Sequence, residues 1–151
     1  MPISVTGNER GFTLIELIVV LAIVAVGATA VMLSLPGPER ALRDSSERLA
    51  AQAAALRDEA VMSSRPMAIR LQPGGYRFER FDGAAWVAET DKPFRAVELP
   101  EGMTVVAVPS GEQRIRFDTT GLADPVILSL GYQGLRRTVT VDAGGGVALG
   151  G

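Results

Sequence analysis

The sequence predicts an α+β chain in which a long N-terminal helix, apolar in its first half and amphipathic in its second, packs on an antiparallel β-sheet head of one sheet or two. Three observations predict it. Residues 12–35 form an almost unbroken apolar run, residues 36–64 repeat small and apolar side chains at helical spacing, and from residue 65 the repeat drops to the period of two that a strand requires. The expected organisation is a leader at 1–11, a membrane-crossing helix at 12–35, an amphipathic helix at 36–64 and a β-rich head at 65–151.

Residues 1–11 are polar and end in Arg10-Gly11, the character of a leader. From Phe12 to Leu35 the polar side chains are Thr13, Glu16, Thr29 and Ser34, so the run is long enough for a bilayer, which needs about 20 residues. Pro36 and Pro38 interrupt normal helix hydrogen bonding and favour a kink or break. Helix signals then resume: Leu42, Leu49 and Leu56 recur every seven residues with Ala53 and Ala60 between them, predicting one stripe that packs on the sheet. Glu39 with Arg43, Arg43 with Glu47 and Asp44 with Arg48 stand four apart on the other side.

The strand-like runs begin with "PMAIRL" and "GYRFERF", joined by a hairpin signal at Gln72–Gly75. Alternation puts Tyr76, Phe78 and Arg80 on one face and Arg77, Glu79 and Phe81 on the other. Further strands are expected at Met103–Val108, Arg114–Asp118, Pro125–Leu130, Arg136–Val141 and Val147–Leu149, the last after the Gly144-Gly145-Gly146 turn. Asp82–Pro100, with Trp86, carries no clear period.

Composition narrows the function classes. The chain has 151 residues, net charge −2, fourteen Arg and one Lys, Lys92, so there is no global attraction to nucleic acid or anionic lipid. Without Cys or His it lacks thiolate chemistry, the commonest general base and the usual transition-metal ligands. Nucleophile elbows, phosphate loops and dinucleotide fingerprints are also absent. The expectation is a protein that is not an enzyme and needs no metal or cofactor. Asp118 and Asp124 bracket a loop and suit turn formation better than calcium, which needs six to eight oxygens. Arg136 and Arg137 read as a solvated strand start, with phosphate contact as the other reading.

Glu16 is the expensive residue of the apolar run. It can reach the interface and face the positive end of the helix dipole. Alternatively, a cut before Phe12 creates an α-ammonium that enters apolar surroundings and requires a carboxylate. The stretch "RGFTLIELIVVLAI" resembles the cleavage signature of type IV pilins and type II secretion pseudopilins. That resemblance implies that prepilin peptidase cuts between Gly11 and Phe12 and methylates the Phe12 amine, and that Glu16 pairs with the Phe12 amine of a neighbouring subunit.

Within that pilin-like superfamily, "LAAQAAALRDEAVMSSRPMAIRL" is similar to the helix end and first strand of minor pseudopilin H (GspH) and the related FimT/FimU minor pilins, and "IRFDTTGLADP" resembles their Phe-Asp-x-x-Gly loop. The lack of Cys points to the secretion-system member. The resemblance implies a non-catalytic subunit of the pseudopilus tip that helps export folded proteins, anchored once in the inner membrane with its head in the periplasm. Its partners would be prepilin peptidase, the major pseudopilin and the other minor pseudopilins, with no nucleic acid. A type IV minor pilin, for pilus assembly or DNA uptake, is the related alternative. Two features point elsewhere. Arg10 alone precedes the apolar run while Arg40, Arg43 and Arg48 follow it, opposite to a cytoplasmic N-terminus. Ala28-Thr29-Ala30 offers an ordinary signal-peptidase site, and a cut after Ala30 would release a soluble secreted binding module.

Overall fold

The computed structural model describes residues 13–34, 37–108, 111 and 113–150, with the side chains of 29–34 set aside. Two compact units divide the chain, Met1–Pro36 and Gly37–Gly151.

The first unit contains α1 (Leu14–Ser34). Its apolar residues surround the axis instead of forming a stripe, and the large ones with described side chains are exposed, from 49 % at Val20 to 77 % at Leu14. Among the described residues no helix is long and apolar enough to cross a membrane. Described side chains end at Ala28, whereas the apolar run of the sequence continues to Leu35.

The second unit opens with α2 (Pro38–Ser63). Pro38 occupies the first turn, where its missing N–H costs no helix bond, and Glu39 faces the positive end of the dipole. Ser64 ends the helix in the left-handed conformation, its N–H and that of Arg65 returning to the carbonyls of Val61 and Ala60. Six positions of α2 are buried: Leu42, Ser46, Leu49, Ala53, Leu56 and Ala60. Their alternating steps of four and three keep one face toward the sheets. The small residues let the helix approach closely, while the three leucines fill the space between. Ser46 is tolerated because its hydroxyl donates to the Arg43 carbonyl at 2.8 Å.

Among the described residues nine strands follow. β1 (Met67–Gln72) and β2 (Gly75–Phe81) form the expected hairpin, with Gly74 at φ +76° in its turn. β3 (Trp86–Ala88) and β4 (Val97–Glu98) both pair with β2 on the side away from β1, so two short strands lie within Asp82–Pro100. β6 (Arg114–Phe117) pairs with the other side of β1 and completes an antiparallel sheet. A second antiparallel sheet runs in the order β5 (Thr104–Val108), β7 (Val126–Tyr132), β8 (Leu135–Val141), β9 (Val147–Gly150).

One continuous core joins α2 to both sheets. Tyr76 and Phe78 of β2, Met67 and Ile69 of β1 and Ile115 and Phe117 of β6 meet Leu128, Leu130, Val139 and Val141 of the second sheet. The Tyr76 hydroxyl, buried in this core, donates to Gln52 Oε1 at 2.9 Å. The Gln52 amide in turn donates to the Pro93 carbonyl at 3.2 Å. Burial pushes the Tyr76 phenol up to about 12, against the opposing pull of Arg48. At the far end, Gly121 and Gly145 touch beside Arg57, and a Cβ on Gly145 would run into the Gly121 carbonyl.

Candidate functional site

Gly11 and Phe12 lie outside the described residues. The site begins at Thr13, whose hydroxyl accepts the Glu16 N–H at 3.3 Å and whose carbonyl accepts the same N–H at 3.1 Å. Thr13-Leu14-Ile15-Glu16 has the Thr-x-x-Glu spacing of a capping box, with Thr13 at the cap and Glu16 at the third helical position. A carboxylate there complements the unpaired N–H groups and positive dipole end of the first turn. In the sequence Glu16 stands four residues after Phe12. Glu16 thus suits both a helix cap and the recognition of a cationic group.

In the head unit, Leu42, Leu49 and Leu56 lie in the core, at 2 %, 0 % and 0 % exposure. Arg43 pairs with Glu47 at 3.8 Å and Arg40 with Asp44 at 4.0 Å, both at the solvated surface. Asp118 shapes its own turn: Oδ1 accepts the Thr120 N–H and hydroxyl at 2.7 Å and the Leu122 N–H at 3.0 Å. The Thr120 bonds, then that of Leu122, hold its carboxyl below the usual range against desolvation. Asp124 instead pairs with Arg116 at 2.8 Å. Arg136 and Arg137 open β8, opposite Gly131 and Leu130.

A charged cluster that the alternation did not single out lies on the outward face of the first sheet. Glu79 is 2 % exposed, although the side chain of Arg77, two residues before it on the same face, is 43 % exposed. Register explains the burial. Glu79 stands opposite Ala68, and on the far side of β1 Ala68 stands opposite Arg116. The small Ala68 side chain leaves room for Glu79 to reach across β1. Its Oε2 accepts from Arg114 Nε at 2.9 Å, while Oε1 accepts from Arg77 Nη2 at 2.8 Å and Nε at 3.0 Å. Trp86 covers the cluster, with the Arg114 guanidinium 5.1 Å from its ring centre and the Phe81 ring tilted against it at 53°, centroids 5.4 Å apart. Burial works to raise the Glu79 carboxyl, yet the Arg77 and Arg114 hydrogen bonds and charges prevail and hold it below the usual range.

An apolar helix with one carboxylate in its first turn, followed by an amphipathic helix laid on a two-sheet antiparallel head, defines a pilin-like protein. A family model described as a prokaryotic N-terminal methylation motif matches residues 6–32. Another, described as type II transport protein GspH, matches residues 45–145, more than half of the chain. The chain belongs to the GspH family.

Two curated relatives carry the name type II secretion system protein H. That of Pseudomonas aeruginosa is 40 % identical over 78 residues, covering 50 % of this chain and 45 % of the relative. That of Aeromonas hydrophila is 32 % identical over 101 residues, covering 64 % and 55 %. The matched part thus spans about half the length of these relatives. Among solved structures, the minor pseudopilin EpsH from the type 2 secretion system of Vibrio cholerae superposes with TM-score 0.62 at 19 % identity, over 72 % of this chain and 94 % of that one. The type IV minor pilin FimU of Pseudomonas aeruginosa gives TM-score 0.60 at 16 % identity, over 73 % and 88 %. At these identities both likenesses establish the fold.

Proposed function

We propose that this chain is a minor pseudopilin of the type II secretion system, a non-catalytic structural subunit of the pseudopilus tip that supports assembly and the export of folded proteins. Glu16 carries the reading: it is the sole charged side chain between Phe12 and Leu35, in the first turn of a helix matched by the methylation motif. Prepilin peptidase would cut between Gly11 and Phe12 and methylate the new amine, and Glu16 would neutralise the Phe12 ammonium of a neighbouring subunit. Residues 12–35 would hold the protein in the inner membrane as a single pass and place residues 65–151 in the periplasm. The partners are the major pseudopilin and the other minor pseudopilins, with no nucleic acid. The names of the curated relatives support the secretion system. The FimU likeness favours a second reading, a minor subunit of a type IV pilus.

Mass spectrometry of the membrane-extracted protein tests the processing. A methylated Phe12 terminus is expected, and a terminus at Val31 would instead mean a soluble secreted module. For assembly, Glu16→Val is compared with Glu16→Gln and the native residue by secretion of an exported enzyme and by crosslinking between subunits. Leaving an ammonium unpaired in an apolar bundle costs about 3 to 5 kcal/mol, so Glu16→Val is expected to abolish both while cleavage continues. Glu16→Gln is expected to be intermediate, since the amide accepts a hydrogen bond without offsetting charge. Normal secretion with Glu16→Val would remove the pairing role. Loss of pili with secretion intact would select the type IV reading.

A further inference from the structure

The outward face of the first sheet carries a row of arginines. Arg70 on β1 stands directly opposite Arg77 on β2 and Arg114 on β6, so three arginine Cα positions share one line across three adjacent strands, although the Arg114 guanidinium reaches across β1 to Glu79 and Trp86. Neighbouring strands are about 4.8 Å apart, and like charges set opposite each other destabilise a sheet. Glu79 relieves the two outer members by bonding both Arg77 and Arg114. Among the described residues the side chain of the central one, Arg70, has a 3.5 Å hydrogen bond to the Gln113 side-chain oxygen, and no carboxylate lies within ion-pair distance of it. Glu79 also fixes the outer arginines, because it is buried and bonds them through both oxygens.

Beside this row, on the same face, a cleft of about 480 Å³ is lined by Phe81, Trp86 and Leu122, with Arg116 and Asp124 at its rim. Leu122 is 54 % exposed at its wall. The face therefore offers an unmatched cation beside two fixed ones, next to a mixed cleft whose Phe81, Trp86 and Leu122 wall has room for an apolar side chain.

We propose that this face docks an extended, carboxylate-bearing segment of a partner protein, one carboxylate seated at Arg70 and a neighbouring apolar side chain in the Phe81–Trp86–Leu122 cleft. Charge complementarity selects an acidic segment. The carboxylates of Glu79 and Asp124 within the face disfavour a broad anionic surface such as a membrane or nucleic acid and favour discrete charges at strand spacing. This surface is independent of the assembly reading and requires no particular filament.

The test uses the full chain in detergent micelles and fluorescence anisotropy of a short labelled peptide alternating Glu and Thr around a central Leu. Saturable binding is expected, with loss when Gln replaces Glu in the peptide or salt is raised to about 0.5 M. Arg70→Gln is expected to weaken binding about tenfold or more, and Leu122→Ser to weaken it several-fold, neither with a lowered unfolding midpoint. Absence of peptide binding by the native chain, or equal binding by Arg70→Gln, would overturn the proposal. So would binding to phosphatidylglycerol vesicles that Arg70→Gln abolishes while the peptide stays unbound. Glu112, next to Gln113, lies outside the described residues. Unchanged affinity is expected for Glu112→Gln, and about tenfold tighter binding would identify Glu112 as the occupant of Arg70 instead of a partner's carboxylate.

Discussion

α1 and α2 are both long helices rich in apolar side chains, yet they dispose of that surface in opposite ways. In α2 the apolar positions fall on one stripe, and the second unit covers that stripe with its own two sheets. In α1 they surround the axis, and the described ones are exposed within this chain. A stripe can be satisfied inside one fold, whereas a cylinder needs apolar surroundings on every side. The difference separates a part whose apolar surface the second unit covers itself from a part whose described apolar side chains this chain leaves exposed.

The sharpest way to break the comparison is to truncate matched apolar residues in the two helices. Leu49→Ala or Leu56→Ala is expected to cost the second unit about 2 to 5 kcal/mol in urea unfolding, since both side chains are fully buried. Val20→Ala in α1 is expected to change that unfolding by less than about 0.5 kcal/mol, the range for sites away from a core. Equal costs would mean that the head draws stability from α1.

A smaller effect is expected at Glu79, where a charge is completed inside the second unit just as the stripe is. Glu79→Gln keeps the shape but removes half of two charged contacts, a loss of roughly 1 to 3 kcal/mol near neutral pH. The sign with pH follows from a folded carboxyl held below its unfolded value of about 4.3. Its contribution is complete above about pH 4.3 and fades as pH falls through the lower folded value. Urea midpoints taken from about pH 6 downward should therefore converge for the native chain and Glu79→Gln.

Next in size is Tyr76→Phe, which removes the bond to Gln52 and is expected to cost about 1 kcal/mol by the same unfolding. The smallest effect belongs to the solvated side of α2. Arg43→Ala breaks an exposed pair with Glu47 and should cost a few tenths of a kcal/mol, vanishing in high salt.

Much of this was legible in the residues. The seven-residue spacing of Leu42, Leu49 and Leu56 announced the buried stripe, because helix geometry alone determines which positions share a face. Ser46 completes that stripe and was missed, since a hydroxyl at a core position is recognisable only once its bond to the Arg43 carbonyl is seen. The strands after residue 100 fell where alternation put them, to within a residue or two. Within Asp82–Pro100 the strands are three and two residues long, too short for a period, and exist because β2 offers them an edge.

The sequence by itself determined that a carboxylate heads an apolar helix, that an amphipathic helix follows, and that a β-rich head without Cys or His comes last. Each of these depends on local order along the chain, through hydrophobic period, proline position and residue chemistry. The tertiary structure alone decided that Glu79 is buried. Alternation put it on the outward face, and its fate depended on Ala68 being small on the next strand and on Arg114, 35 residues away, arriving one strand further on. It also decided that Arg70 stands between two arginines, since strand order and register bring together charges that sequence separation keeps apart.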